Sequence, residues 1–258
     1  MRPSLALGLL SALLLAPPVA AAEPRIDASV YGAIVGPLDH ELTETERQGL
    51  LREFDRFSEG MASLTAQRWA EAAVAFEAVA DTTGWFEAAY NAALARRAGG
   101  EYAAALPRTD QALRSRPGDH AALFLRASLL QGLGRYADSR AVADEALSTA
   151  RSEGLAREEL LALLNQGAVL RILGDPAGAL TAYRDAAALA VTLEDPALQA
   201  AAQAGTGFTH ALQGRSADAE ASMQAARGSA ARAGDGASFA EVEISLASLA
   251  LQSGDVDA

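Results

Sequence analysis

The sequence predicts an all-α fold, an α-solenoid in which consecutive helix hairpins stack along the chain. One 34-residue pattern occurs twice without a gap, over residues 86–119 and 120–153. Half of the residues are hydrophobic but only 5% are aromatic, so we expect a core of Ala and Leu. Such a core suits close helix packing and argues against a β-sandwich. Because each copy is too small to bury its apolar face alone, stacking of the copies is expected to stabilise them.

Each copy is predicted to consist of a first helix, a glycine turn and a second helix. When the two central copies are aligned, Gly100 falls on Gly134 and Tyr102 on Tyr136. Upstream the pattern extends over residues 53–85 with one deletion, and downstream its period lengthens from 34 to 40 residues. The turn glycines of the longer copies are Gly174, Gly214 and Gly254.

Small residues recur where the two helices of a hairpin are expected to cross. Counting Phe86 as position 1, position 8 of every copy holds Gly or Ala. Side chains of this size let two helix axes approach to about 8–10 Å. The residues at position 8 are Gly60, Ala93, Ala127, Gly167, Gly207 and Ala247.

Residue types and their spacing predict two helix starts and one irregular helix. Thr43 and Glu46 have the spacing of a capping box, in which each side chain satisfies a free backbone N–H group of the other residue. Asp195 followed by Pro196 is expected to be an N-cap with proline in the first turn, where its missing N–H costs nothing. Pro107 lies inside a predicted second helix, so we expect that helix to start late or to bend there.

Residues 1–22 have the three-part layout of a secretory signal peptide. Arg2 is followed by an apolar run over residues 5–16 and by three alanines at residues 20–22. The apolar run is shorter than the ~20 residues of a membrane-spanning helix. We therefore expect a periplasmic or secreted protein of a Gram-negative bacterium, with no stable membrane anchor after cleavage. Residues 23–42 are irregular, and the sequence leaves open whether they occupy the binding surface.

The repeated positions are those that define the tetratricopeptide repeat, and the chain resembles that family from about Glu53 to its end. The later copies resemble the family's 40-residue variant, which occurs in kinesin light chains and many bacterial proteins. The resemblance implies a right-handed solenoid of five helix pairs and one unpaired C-terminal helix over residues 43–258. Position 24, usually large, is Thr109 in one copy and Ala143 in another. The repeats are placed at about 53–85, 86–119, 120–159, 160–199 and 200–239, with a partial copy at 240–258.

Catalysis has little support in the sequence. The chain has no cysteine, and His40, His120 and His210 are scattered without partners at metal-binding spacing. The net charge of −12 argues against a nucleic-acid partner, because phosphate binding needs the opposite balance. We expect a protein that is not an enzyme and that requires neither a cofactor nor a metal.

The resemblance implies that the first helices line a concave groove and present positions 2, 5, 9 and 12 to a partner. Aromatic residues with isolated arginines are typical of peptide-binding surfaces, and arginine can bind a carboxylate through two hydrogen bonds. Two alternatives stay open. Phe54, Phe57 and Leu164 would instead pack against neighbouring helices, or the arginines would form ordinary salt bridges. The predicted groove residues are Phe54, Phe57, Met61, Tyr90, Leu94, Arg97, Phe124, Gln131, Leu164, Arg171 and Phe208.

These observations predict a non-enzymatic periplasmic scaffold or adaptor that binds a peptide or protein partner in the groove, with cell-envelope assembly as its setting. The alternative is an accessory repeat region of a longer protein whose catalytic or membrane domain lies beyond Ala258. The last predicted helix, near residues 240–254, carries apolar residues all around its circumference. This pattern is compatible with self-association or with missing repeats at that end.

Overall fold

The computed structural model describes residues 43–234, together with residues 240, 242–244 and 246, and this part of the chain contains helices but no strand. The chain divides into two units. The described part of the N-terminal unit is residues 43–134, and the C-terminal unit begins at residue 135. The predicted signal peptide, the segment 23–42 and most of the predicted last helix lie outside the described residues.

In the described part of the N-terminal unit, the helices are α1 (Glu44–Thr65), α2 (Trp69–Thr83), α3 (Phe86–Ala98), α4 (Tyr102–Ser115) and α5 (His120–Gly132). Each helix packs against the next one along the chain, and α3 also contacts α5. Helices α1 and α2 form one hairpin, α3 and α4 form a second, and three residues connect the two helices of each hairpin. The first helices of consecutive copies therefore touch one another in this unit.

In the described part of the C-terminal unit, the helices are α6 (Tyr136–Glu153), α7 (Ala156–Ile172), α8 (Pro176–Thr192), α9 (Pro196–Leu212) and α10 (Ser216–Ala233). The pattern of contacts is the same, because successive helices pack together and α7 also contacts α9. Val242, which is helical, is 4% exposed and joins an apolar cluster with Ala200, Ala226 and Ala230. The predicted all-α fold of consecutive helix hairpins is confirmed. Nowhere in the described ranges does a helix combine the length and the hydrophobicity needed to cross a membrane.

Two predicted helix starts have the expected caps. The Glu46 carboxylate accepts a hydrogen bond from the Thr43 backbone N–H at 2.8 Å, and the Glu46 N–H donates to the Thr43 hydroxyl oxygen at 3.3 Å. Asp195 accepts from the Leu198 N–H at 3.0 Å, and Pro196 occupies the first turn of α9. Both helices thus begin at residues whose side chains satisfy backbone N–H groups that have no partner inside the helix.

The turn glycines also have the expected role wherever they are described. Their φ angles are 79° at Gly100, 71° at Gly134, 78° at Gly174 and 72° at Gly214. A side chain strains the backbone in this left-handed region, whereas glycine adopts it readily. Gly254, the last predicted turn glycine, lies outside the described residues.

Of the two effects expected of Pro107, the late start of its helix is wrong, and the bend stays a prediction. Helix α4 runs continuously over Tyr102–Ser115 with Pro107 inside it. Proline has no N–H to donate to the carbonyl oxygen of Ala103, so one hydrogen bond is lost close to the beginning of the helix. On either side of the proline, Ala105 and Ala112 have no exposed surface, and their packing maintains the helix across the gap.

The small residues at position 8 leave room for a large side chain on the second helix of the same hairpin. A methyl group on Gly60 of α1 would lie 2.8 Å from the Phe76 ring of α2. A methyl group on Gly167 of α7 would lie 2.8 Å from the Tyr183 ring of α8. Contacts this short are strongly repulsive, so these two positions require glycine as long as the ring is present.

The sizes of the residues at positions 8 and 24 also match in two hairpins where the residue at position 24 is smaller. A methyl group on Gly207 of α9 would lie 3.0 Å from the Met223 side chain of α10. In the hairpin α3–α4, position 8 is Ala93 and position 24 is the smaller Thr109, and neither has any exposed surface. A large residue at position 24 therefore occurs with glycine at position 8, and a smaller residue occurs with alanine.

A buried carboxylate ties the end of α4 to the beginning of α3. Glu87 is only 3% exposed, and it accepts a hydrogen bond of 2.5 Å from the Arg116 guanidinium. The same guanidinium lies 4.4 Å from the centre of the Phe86 ring. Because a buried carboxylate without a partner is costly, this ion pair holds the residue that follows α4 against the first turn of α3.

Two alanine substitutions in α1 test the size match. Gly60→Ala should lower the free energy of unfolding by about 1–3 kcal/mol, since the new methyl group meets the confined Phe76 ring. Gly49→Ala is the matched control, because its methyl group would meet only the end of the Arg52 side chain, at 3.9 Å. It should raise the free energy of unfolding by up to about 1 kcal/mol through helix propensity. The measurement is urea unfolding followed by circular dichroism, and equal effects of the two substitutions would refute the size match.

Candidate functional site

Several predicted groove residues are core residues in the structure. Phe57 is 3% exposed, and its ring meets the Phe76 ring edge-to-face at a centroid distance of 5.1 Å. Tyr90 is 1% exposed and stacks on Phe86 at 5.8 Å. Phe124, Gln131, Leu164 and Phe208 are also buried. The exposure expected for Tyr90, Phe124, Gln131 and Phe208 is therefore wrong, whereas the burial of Phe57 and Leu164 agrees with the open alternative that they pack against neighbouring helices. The role of these six residues in binding stays a prediction.

The physical reason for this burial is the contact between consecutive first helices. Helix α3 touches α5, and α7 touches α9, in addition to the contacts of each first helix with second helices. Side chains on the first helices are therefore partly enclosed by protein. The sequence pattern predicted which positions lie on the first helices, but it did not show how closely those helices approach.

Five predicted groove residues keep exposed surface. In the N-terminal unit these are Phe54 and Met61 on α1 and Leu94 and Arg97 on α3, and in the C-terminal unit it is Arg171 on α7. The Met61 sulfur accepts a long contact of 3.6 Å from the Asn91 amide, which links α1 to α3. Phe54 and Met61 lie on one face of α1, and Leu94 and Arg97 lie on one face of α3, because their spacings in the sequence are close to whole turns of a helix. Each unit therefore retains partly exposed candidate residues on its first helices.

Arginines elsewhere in the structure are mostly ion-paired, and Arg96 is a good example. Its guanidinium donates to Glu77 at 2.8 Å and to Glu101 at 2.7 Å, and its side chain is 19% exposed. These hydrogen bonds, led by the one to Glu77, raise the pKa of Arg96. Arg108 extends the same network to Asp81 and lowers the pKa of that carboxyl group.

Arg97, the next residue, has a different environment. Among the described residues it forms no hydrogen bond and no ion pair, and its Nη1 atom is buried without an acceptor. Burial lowers the pKa of Arg97, and Tyr102 and Tyr90, which lie nearby, offset the effect only in part. Because a buried charge is normally paired, an unpaired guanidinium at this position needs an explanation.

The surroundings of Arg97 are formed by three helix ends. Arg97 is next to last in α3, Tyr102 is the first residue of α4, and Gly132 is the last residue of α5. A methyl group on Gly132 would lie 3.0 Å from the Tyr102 ring, so the ring packs directly on the end of α5. Tyr102 nevertheless remains 37% exposed. The end of α3 thus presents a guanidinium beside a tyrosine that reaches solvent.

Arg171 occupies the equivalent place in the C-terminal unit. It is next to last in α7, one helical turn after Gly167, and it lies near Tyr183, whose pKa is raised by burial. The Tyr183 ring is enclosed between Gly167 of α7 and Gly205 of α9. The Nε atom of Arg171 is buried and has no acceptor among the described residues. An arginine with an unsatisfied N–H group beside a tyrosine is therefore found once in each unit.

Two residues of these arrangements, Tyr102 and Tyr183, were not among the predicted groove residues. Both belong to second helices, whereas the resemblance directs attention to the first helices. For Tyr102, the sequence signal that could have identified it was its alignment with Tyr136 in the next copy of the repeat. No sequence pattern indicated that Tyr183 lies against the guanidinium of Arg171.

The described residues contain no group of three His, Asp or Glu side chains that could hold a metal ion. His210 has a buried Nδ1 atom without a partner in that part of the chain, and burial lowers its pKa. Arg215 lowers the pKa of His210 further, whereas Asp218 raises it. His40 lies outside the described residues.

Comparison with solved structures identifies the fold. A Rap protein complexed with Competence and Sporulation Factor has a TM-score of 0.68 and 17% identity, over 89% of this chain and 66% of the Rap chain. PilW, a type IV pilus biogenesis factor, has a TM-score of 0.58 and 19% identity over 79% and 96% of the two chains. TTC0263, a thermophilic tetratricopeptide-repeat protein of Thermus thermophilus, has a TM-score of 0.55 and 20% identity over 77% and 99%.

These likenesses show that the fold is of the α-solenoid class built from tetratricopeptide-type hairpins. At 17–20% identity they show the fold alone. No protein-family model matches the sequence, and no curated protein matches it.

Neighbouring arginines of α3 provide a test of the unpaired charge. Arg97→Met keeps the length of the aliphatic stem and removes a desolvated guanidinium, so it should raise the free energy of unfolding by about 1 kcal/mol. Arg96→Met removes the closest cation of Glu77 and leaves it Arg108, whose Nε lies 3.6 Å away, so it should lower the free energy of unfolding by about 2 kcal/mol. Both values are measured by chemical denaturation in low-salt buffer without added carboxylates. A loss of stability in Arg97→Met as large as that in Arg96→Met would show that Arg97 has a structural role.

Proposed function

We propose that this protein is a non-enzymatic scaffold that binds a peptide or protein segment along the first helices of its hairpins. The observation that carries the proposal is the state of Arg97 and Arg171. Each has a buried N–H group without an acceptor among the described residues, although the chain has 33 acidic residues and a net charge of −12. In a protein with this many carboxylates, two arginines whose buried N–H groups lack an acceptor among the described residues are best explained as contacts for another molecule.

Apolar side chains support the same interpretation in the N-terminal unit. Phe54, Met61 and Leu94 lie on first helices and keep part of their surface exposed. Apolar anchors beside an arginine are the combination that dominates the energetics of many protein interfaces. The Rap protein that shares this fold was solved in complex with Competence and Sporulation Factor, which indicates that the fold can accommodate a partner.

We further propose that the protein acts outside the cytoplasm, in the periplasm or as a secreted protein, and that its setting is cell-envelope assembly. The support is the three-part layout of residues 1–22. PilW, which has a similar fold, is a type IV pilus biogenesis factor. The likeness does not extend to function, so export and partner need separate experiments.

Partner capture is tested with charge reversals. The double variant Arg97→Glu with Arg171→Glu should lose most of the specific partners in a pulldown from envelope extract, because a carboxylate replaces each unpaired guanidinium. The matched control is Arg114→Glu with Arg184→Glu, which makes the same change of charge at one exposed arginine in each unit. Retained proteins are identified by mass spectrometry after crosslinking in the native cell.

The outcome is decided by comparing the two double variants. Loss of the same partners in both would indicate a general effect of charge, and retention of all partners in both would exclude the first helices as the binding surface. Circular dichroism of each variant shows whether the fold is intact. Only selective loss in the Arg97 and Arg171 variant supports the proposal.

Export is tested by the N-terminus of the mature protein. Cleavage after Ala22 should produce a chain that begins at Glu23 and that is recovered in the periplasmic or culture fraction. Replacing the small residues by Ala20→Leu and Ala22→Leu should block processing, because the cleavage site requires small side chains. Intact-mass measurement and cell fractionation check both results. A full-length chain that stays in the cytoplasm would overturn this part of the proposal.

A further inference from the structure

We propose that residues 26–35 dock on the first turns of α1 and cover the apolar side chains that lie where this helix extends beyond its hairpin. This surface, which we call the α1 entry face, consists of Leu50, Leu51 and Phe54. The docking joins one segment of the chain to a helix of the same unit, and it is independent of the proposed binding function.

Helix α1 is longer than the helix with which it forms a hairpin. It has 22 residues (Glu44–Thr65), whereas α2 has 15 (Trp69–Thr83). Because a short connection joins the end of α1 to the beginning of α2, the extra length of α1 lies at its own beginning. At 1.5 Å per residue, the first turns of α1 extend about 10 Å past the end of α2.

The α1 entry face is apolar and keeps exposed surface. Leu51 is 45% exposed, and Leu50 and Phe54 are partly exposed. Leu50 and Leu51 lie four and three residues before Phe54, so the three side chains are neighbours on one side of the helix. Further along α1, Phe57 is buried and packs on Phe76 of α2. The apolar side of α1 that is buried within the hairpin thus continues into the turns beyond it.

The composition of residues 26–35 suits an apolar surface. Segments that remain solvated usually have few large apolar side chains and many charges. This segment contains a single charged residue, Asp27. Its large apolar or aromatic residues are Ile26, Val30, Tyr31, Ile34 and Val35. Burial of these side chains against another apolar surface is therefore favourable.

The connection to α1 is long enough for the segment to reach the α1 entry face. Residues 36–42 separate Val35 from Thr43, the N-cap of α1. An extended chain between these two residues spans up to about 26 Å, whereas Leu51 lies about 12 Å along the helix from its N-cap. Gly36 and Pro37 favour a turn directly after the segment. The chain can therefore turn back and run beside α1.

Tethering favours this segment over a second copy of the protein as the occupant. A short linker gives an attached segment an effective concentration of about 1 mM. At a protein concentration of about 10 µM, this is roughly 100 times the concentration that a second copy provides. Phe54 is also a candidate partner residue, so the docked segment would compete with a partner at this helix where the proposed function holds.

The absence of cysteine allows a single introduced thiol to report whether the α1 entry face is covered. Leu51→Cys places the thiol on this face. Arg52→Cys is the matched control, because it is the adjacent exposed position and points to a different side of the helix. Each variant is prepared with the native segment and with Tyr31→Ser and Ile34→Ser, which remove two of its apolar side chains. The whole chain is expressed, and alkylation of the purified protein by iodoacetamide is followed by mass spectrometry.

We expect the thiol at residue 51 to react about tenfold faster with the substituted segment, because a face covered in roughly nine molecules of ten is then released. The thiol at residue 52 should react at the same rate with either segment. Both results should be the same at about 1 µM and about 100 µM protein, because docking within one chain is independent of concentration. Circular dichroism shows whether the helices are intact in every variant.

Three results would overturn the inference. Equal rates at residue 51 with either segment would show that the segment does not cover this position. Protection that increases with protein concentration would identify a second copy as the occupant, and equal protection of residues 51 and 52 would exclude a specific face.

Hydroxyl-radical footprinting gives a second measurement with Leu51 intact. Oxidation of Leu50 and Leu51 should increase in the chain that carries Tyr31→Ser and Ile34→Ser, and an unchanged level would contradict the docking. Neither measurement involves a partner, so failure of the docking is distinguishable from failure of the proposed function.

Discussion

The match in size between the two helices of a hairpin is the constraint on which the described architecture depends. Gly60 with Phe76 and Gly167 with Tyr183 show that the large residue of the second helix fills the space left by the glycine of the first. The space where the two helices cross is filled jointly by two residues that are far apart in the sequence. A change in the size of either residue alone is therefore expected to lower the free energy of unfolding.

Within that framework, charge is distributed unevenly among the arginines. Arg96 and Arg116 connect helices through close contacts with Glu77 and Glu87, and they contribute to the packing of hairpins. Arg97 lies beside Arg96 in the sequence, yet it has no such partner among the described residues. An arginine that forms ion pairs, Arg96, and one that forms none among the described residues, Arg97, are thus adjacent in α3. Substituting each in turn can separate their roles.

The sequence predicted the fold well because its main features are local. The caps at Thr43 and Asp195 and the left-handed turn glycines follow from short-range chemistry and are confirmed. The candidate site was less predictable, since exposure depends on how closely consecutive first helices approach. Tyr90 was expected to face a partner but is buried against Phe86. Arg97 and Arg171 were candidates from the sequence, and their role in binding stays a prediction, whereas their tyrosine neighbours come from second helices and required the structure.

The unpaired guanidinium of Arg97 also has a consequence for how this protein responds to heat. A desolvated charge costs free energy in the empty protein, and an anion that pairs with it removes part of that cost in addition to contributing its own binding energy. Occupancy should therefore be visible as a rise in melting temperature. Thermal shift can then serve as a first screen for natural partners, before any assumption is made about the pathway in which the protein acts.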